Sequence, residues 1–141
     1  MTKPPIKKIA HIGIAVHSIN EVLPFYTSAL ELELEQIEQV HSEGVKIAFL
    51  KIGDTRFELL EPLHNDSPIQ KFIHKKGEGI HHIALEVDDI DQRLEHLKSD
   101  GIHLIDEQAK IGAEGAKVAF IHPKAANGVL YELSQPMKGK H

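Results

Sequence analysis

The sequence predicts an α+β fold assembled from two copies of one module, each reading strand, helix, then strands. Three observations predict it. HIGIAVHSINEVL (11–23) realigns on HIALEVDDIDQRL (82–94), with His, Ile, Val, Ile and Leu coinciding. At the same offset GVKIAFL (44–50) falls on GAKVAFI (115–121). With three extra residues in the second half, RFELLEP (56–62) falls on LYELSQP (130–136). Three matches in one order define a tandem repeat of about 65 residues per copy. Module 1 runs over about 7–62, a linker helix over about 66–77 and module 2 over about 79–136, within one domain, 1–141.

Each element has a local reason. IAHIGIAV and GIHHIALEV are short, rich in Ile, Val and Ala, and end in turn-formers, which predicts strands. SINEVLPFYTSAL opens on Ser18 with Glu21 three residues on, a capping-box pattern that starts a helix. Pro24 is a defect inside that helix, because it removes an N–H and crowds the preceding turn. Its counterpart DDIDQRLEHLKSDG puts Ile90, Leu94 and Leu97 on one face and Gly101 at the stop. VKIAFLKIG, TRFELLEP, KVAFIHP and GVLYELSQ read as strands, as does ELELEQIEQV, which also carries helical potential. In the linker, Ser67 is an N-cap, Pro68 sits at the first helical position and Gly77 lies past the end. The glycines of GAEGAK and NGV serve turns, and His122 and Asn127 read as turn residues.

Composition narrows the function. The chain of 141 residues is 41% hydrophobic, enough for a core, with a formal charge of −5. No stretch approaches the ~20 apolar residues of a membrane span. The start, MTKPPIKKIA, has no apolar signal-peptide core, so a cytoplasmic protein is expected. With no cysteine, disulfides, thiolate catalysis and sulfur ligation are excluded. No basic run is dense enough for a nucleic-acid face, and the 5% aromatic content offers no stacking platform.

The tandem pair His81-His82 poses the central question. Side chains alternate along a strand. One face of the first strand carries Ile9, His11, Gly13 and Ala15; the matching face of the second module carries Ile80, His82, Ala84 and Glu86. The repeat therefore pairs His11 with His82, and His81 points the other way, to the helix layer or solvent. By the same logic Glu58, between Phe57 and Leu59, pairs with Glu132, between Tyr131 and Leu133. Two modules related by a rough twofold axis would bring together two imidazoles and two carboxylates, a nitrogen–oxygen set suited to a divalent metal such as Co, Mn, Ni, Fe(II), Zn or Mg. In an octahedral site four protein ligands leave two positions open, as a catalytic metal requires. The competing reading of a lone strand histidine or glutamate is a hydrogen-bonded structural residue. Its coincidence in both halves favours the metal. His17, His41, His64, His74, His96 and His103 sit among polar residues and read as surface histidines.

The longer motifs, HIGIAV, GVKIAFLKIGDTRFELLEPL, SPIQKFI, GEGIHHIALEVDDID and IGAEGAKVAFIHPKAANGVLYEL, span nearly the whole chain in order. They resemble the methylmalonyl-CoA epimerase family of the vicinal oxygen chelate superfamily, which includes glyoxalase I and ring-cleaving dioxygenases. The resemblance implies a curved eight-stranded mixed sheet around one divalent metal per chain, a homodimer, and His11, Glu58, His82 and Glu132 as ligands. It implies epimerisation of (2R)- and (2S)-methylmalonyl-CoA in propionyl-CoA and succinyl-CoA metabolism. Some members carry Gln at the position of Glu58 and a separate Glu at the position of Ile47; here the carboxylate is on Glu58 and Ile47 is apolar.

Epimerisation by proton transfer needs an acid or base on each side of the carbon, and Glu58 and Glu132 are the expected pair. Glu61 and Glu43 are weaker candidates with surface roles as the alternative. The acyl-CoA handle needs phosphate contacts, for which Lys124, Lys71 and the helix start at Ser67 are candidates. Competing activities are a glyoxalase I-type lyase acting on a hemithioacetal, a non-catalytic resistance-type binding protein, and a dioxygenase. The full four-residue ligand set disfavours the last two.

Overall fold

A computed structural model describes residues 4–138. It contains eight strands, hydrogen-bonded in the order β2-β3-β4-β1-β5-β8-β7-β6, so the eight-stranded mixed sheet is present. The chain divides into two compact units, residues 11–81 and residues 82–138 with 4–10. No helix of the described residues is long and apolar enough to cross a membrane.

The first unit holds most of β1 (Lys8–Ala15), with β2 (Glu33–Val40), β3 (Val45–Ile52) and β4 (Thr55–Pro62). β3 and β4 form a hairpin whose turn, Gly53-Asp54, needs the positive φ of Gly53 (52°). β1 returns parallel to β4, pairing Gly13 with Glu58 and Ala15 with Leu60. Helix α1 (Ile19–Pro24) buries Ile19 against Ala48, Leu50 and Leu59, with Val22, Leu23 and Tyr26 packed around them. Each such buried aliphatic side chain contributes ~1.5–3 kcal/mol. Ser18 accepts from the Glu21 N–H, as a cap should.

The expected single helix over 18–30 is not uniform. Regular α-helix ends at Pro24 and a π-helical turn, Phe25–Ala29, follows, closed by the Leu30 N–H donating to the Phe25 carbonyl at 3.0 Å. Proline cannot donate to the carbonyl four residues back, and widening the next turn carries the chain past the gap. Helix α2 (Pro68–Lys76) follows the local rules throughout: Ser67 accepts from the Gln70 N–H, Pro68 opens the helix and Gly77 closes it at φ 82°.

The second unit repeats the plan with β5 (Gly79–Glu86, of which its first three residues belong to the first unit), α3 (Ile90–Ser99), β6 (Lys110–Ile111), β7 (Lys117–Ile121) and β8 (Tyr131–Gln135). β5 runs parallel to β8, and β7 antiparallel to it. Ile90, Leu94, Leu104, Ala119 and Leu133 form the core beneath α3. The repeat extends to hydrogen bonds. Glu61 Oε1 accepts from the Ile19 N–H at 2.8 Å, and Gln135 Oε1 accepts from the Ile90 N–H at 2.9 Å. In both units a side chain from the last strand caps the helix. The outer strand is where the copies diverge: β2 has eight residues and β6 has two. Between α3 and β6 only an isolated bridge, Leu104 to Ile121, replaces the missing ladder.

Candidate functional site

Register decides which residues share a face. In the first unit Gly13, Glu58 and Phe49 lie in one row across β1, β4 and β3. His11, two residues before Gly13, is on that same face. His11 and Glu58 are both buried, and His11 Nδ1 lies 3.0 Å from Glu58 Oε2. In the second unit Ala84, Glu132 and Phe120 form the equivalent row, and His82 precedes Ala84 by two. His82 Nε2 lies 3.2 Å from Glu132 Oε1, again with both residues buried. The His82 ring packs edge-on to Phe120 at 5.4 Å between centroids. Each half thus sets an imidazole against a carboxylate over a phenylalanine, away from bulk water.

His81 is the other kind of histidine. It faces Phe72 of α2 edge-on, with centroids 4.9 Å apart, as the alternation on β5 requires. Ile47 is buried on the Glu58 face, two residues from Phe49 on β3, so an apolar side chain occupies that position.

One site residue escaped the sequence reading. Arg56 precedes Glu58 by two, hence on the same face. Its guanidinium lies over the Phe49 ring at 4.5 Å, 3.6 Å from Glu58 Oε2 and 3.7 Å from Glu35 Oε1. The repeat places Leu130 at the equivalent point of the second half. The i, i+2 spacing in RFE was the available signal; comparing only matched positions hid it. Glu61 has a structural duty as the α1 cap. Glu43 lies in the short turn His41–Glu43 before β3.

Of the expected phosphate contacts, Lys71 is exposed on α2 and Lys124 is exposed in the turn Pro123–Ala126. Ser67 is fully buried, its hydroxyl occupied by the Gln70 N–H. His122 holds the Pro123–Ala126 turn, its Nδ1 accepting the Lys124 N–H at 3.1 Å, and its ring stacks on His103 at 4.2 Å. Burial of the ring, then the neighbouring His103 and Lys124, hold His122 below the ordinary histidine value.

Each pair sets a ring nitrogen beside a carboxylate oxygen, a donor set suited to a divalent cation. A nitrogen and an oxygen bound side by side in an octahedron, with bonds of about 2.1 Å, stand about 3.0 Å apart. The observed 3.0 and 3.2 Å separations are compatible with that edge and equally with a His–Glu hydrogen bond. The donors are hard or borderline, with no sulfur among them.

The chain is similar to known proteins along most of its length. The Glyoxalase/Bleomycin resistance protein/Dioxygenase superfamily matches residues 10–120. The mitochondrial methylmalonyl-CoA epimerase of Homo sapiens is 40% identical over 129 residues, 91% of this chain and 73% of that protein. The ethylmalonyl-CoA/methylmalonyl-CoA epimerase of Cereibacter sphaeroides is 38% identical over 132 residues, 92% and 98% of the two chains. A structure of a variant Streptomyces coelicolor methylmalonyl-CoA epimerase in complex with 2-nitronate-propionyl-CoA superposes with a TM-score of 0.92 at 33% identity, covering 97% of this chain and 99% of that one. With a family match across most of its length and relatives near 40% identity, this chain belongs to the glyoxalase/bleomycin resistance protein/dioxygenase superfamily and, within it, to the methylmalonyl-CoA epimerase family.

Proposed function

We propose that the chain interconverts (2R)- and (2S)-methylmalonyl-CoA by removing the α-proton from one face of the substrate and returning a proton to the other. The observation that carries the reading is the duplicated buried His–Glu pair, His11 with Glu58 and His82 with Glu132, in a chain whose relatives are epimerases of this thioester.

His11, Glu58, His82 and Glu132 are the residues that would hold one divalent ion, Co, Mn, Ni, Zn or Mg. When bound, such an ion supplies a Lewis acid that offsets the negative charge growing on the thioester oxygen. The chain's own residues supply the proton chemistry. One of Glu58 and Glu132 takes the α-proton as a carboxylate, and the other, as its conjugate acid, delivers a proton to the opposite face, each acting while loosely held in the site or after detaching from it. His11 and Arg56 both reach Glu58 Oε2 and so orient its carboxylate. Phe49 and Phe120 exclude water around each glutamate. Lys124 and Lys71 are the proposed contacts for the CoA phosphates, while Ser67, buried and bonded to the Gln70 N–H, serves at that helix start as the cap. A homodimer in the cytoplasm completes the reading.

Proton exchange tests it. Protein loaded with a divalent ion is incubated with methylmalonyl-CoA in D₂O, beside a chelator-treated control, and the α-proton signal is followed by NMR. Ion-dependent washout with loss of optical purity is the expected result. Absence of washout with every divalent ion, together with turnover of methylglyoxal and thiol, would transfer the chain to the lyase reading.

A further inference from the structure

Helix α2 is not used by the proton chemistry, yet its charge pattern is unusual for this chain. The protein carries 21 acidic against 16 basic residues, but α2 has Lys71, His74, Lys75 and Lys76 and no acidic residue. Four lysines elsewhere reach carboxylates: Lys7 to Asp88, Lys98 to Glu95, Lys110 to Asp106 and Lys117 to Asp91. Among the described residues Lys71 and Lys75 form no ion pair, and Lys76 turns to the Phe72 ring instead. Lys71, His74 and Lys75 stand at i, i+3 and i+4, hence on one helix face. With Gln70 and Asn65 they line one open, solvent-facing cleft that has no carboxylate in its lining.

We infer that this cleft is an anion subsite that takes the phosphorylated nucleotide end of the acyl-CoA, with Lys71 and Lys75 as point charges and Asn65, Gln70 and His74 as hydrogen-bond partners. This rests on the acyl-CoA reading and adds to it a location, two further residues, His74 and Lys75, and a selectivity. A phosphomonoester near neutral pH carries close to two charges, and three acceptor oxygens match several donors at once. The helix itself is held in place independently of the cleft, because Ile69 and Ile73 are buried on its other side and Ser67 caps it. Substituting cleft residues therefore leaves the scaffold standing. Cations on an otherwise acidic chain also concentrate an anionic substrate where it is needed, an effect that salt screens.

The experiment compares the CoA thioester with the pantetheine thioester, which lacks the nucleotide. In Lys71→Ala/Lys75→Ala protein, KM for methylmalonyl-CoA should rise about tenfold, about 1.4 kcal/mol. Its kcat should stay within about twofold, and the constants for methylmalonyl-pantetheine should not move, since only uniform binding has been lost. His74→Ala should act in the same direction. A second arm needs no turnover: calorimetry of CoA, dephospho-CoA, pantetheine and inorganic phosphate against both proteins. Tighter binding of CoA than pantetheine by the parent, erased in the double variant, supports the cleft. Equal effects on both thioesters, or an unchanged CoA affinity, overturn it. Binding of inorganic phosphate as tight as CoA would also overturn it, by making the cleft a general anion site. If the parent epimerises neither thioester, the epimerase reading falls while the calorimetric arm still decides the cleft.

Discussion

The Nδ1 atom of His11 lies 3.0 Å from Oε2 of Glu58, and the second half of the chain repeats the partnership with His82 and Glu132 at 3.2 Å. Each pair sets its donor atoms within ion-pair distance. Binding an ion to the native state alone raises stability by about 4 kcal/mol at a thousandfold excess over Kd. For a chain of this size that is a rise in Tm of roughly 10 °C. Thermal unfolding of chelator-treated protein, repeated with Co, Mn, Ni, Zn and Mg, reads it. A Tm indifferent to all five would remove the ion from the mechanism.

The two glutamates should be separable by substrate. Glu58→Gln and Glu132→Gln keep the shape of the side chain and remove the base. Each should lower epimerisation by roughly 10²–10⁴-fold. With one base on each face, each variant should still exchange the α-proton of one enantiomer in D₂O and fail on the other. Opposite losses in the two variants, measured with stereochemically pure substrates, would establish two bases. Loss of exchange from both enantiomers in one variant, with the other near normal, would leave a single base.

These four residues were legible in the sequence because a repeat converts a weak local signal into a paired one. A lone histidine on a strand carries little, but His11 and His82 at one offset, with Glu58 and Glu132 at nearly the same offset, point to one face. The strand period then separated His82 from His81, and the Phe72 contact of His81 agrees. Helix caps at Ser18 and Ser67 follow from short-range chemistry and were equally visible, whereas the Asp89 cap of α3 was not singled out. What stayed hidden depends on tertiary context. The π-helical turn after Pro24 is one way among several to absorb a missing N–H. β6 shrinks to two residues because its ladder is set by β7, not by local propensity. Arg56 breaks the repeat, so a search for matched positions passed over it.

Arg56 gives the two halves different electrostatics, since Leu130 stands at its matched position. Its guanidinium is fixed by Phe49 beneath and Glu35 beside it, and it reaches Glu58 at 3.6 Å. In the proposed reaction it would act as a positioning residue for Glu58. Arg56→Leu should lower kcat by about tenfold, about 1.4 kcal/mol of barrier, with KM little changed. Arg56→Lys should recover only part of this, because an ammonium cannot stack on Phe49 and reach two carboxylates as a planar fork does. Full recovery by lysine would show that charge alone suffices.

The His103–His122 stack gives a pH dependence with a definite sign. His122 sits below the ordinary histidine value, from burial first and then from His103 and Lys124. The folded state therefore binds fewer protons than the unfolded one once pH falls below about 6.5. Its neutral form is fully compatible with the fold above that pH, and stability declines as pH drops from there through the depressed folded value. Protonation at Nδ1 also removes the acceptor for the Lys124 N–H. His122→Asn keeps an acceptor at the cap and should flatten this part of the profile. Urea midpoints at pH 5.5 and 7.5, beside an NMR titration of His122, measure it, and a His122 titration at or above the ordinary value would reverse the prediction.

Gly44 and Gly53 offer a controlled comparison, because both hold positive φ, 64° and 52°, but their surroundings differ. A Cβ at Gly53 meets nothing within 4 Å, whereas one at Gly44 falls 3.0 Å from Ser67 Cβ and 3.1 Å from His64 Nε2. Gly53→Ala should cost only the left-handed backbone strain, ~1–2 kcal/mol. Gly44→Ala adds a collision, and the two neighbours differ in how they respond. His64 is exposed and can swing aside. Ser67 is fully buried and caps α2 through the Gln70 N–H, so it can move only by displacing the start of the helix. Overpacking of that kind adds ~1–3 kcal/mol. Urea unfolding of the two variants should separate them by that amount. Equal costs would mean that the start of α2 yields, and the cap bond to Gln70 should then show faster amide exchange in Gly44→Ala than in the parent.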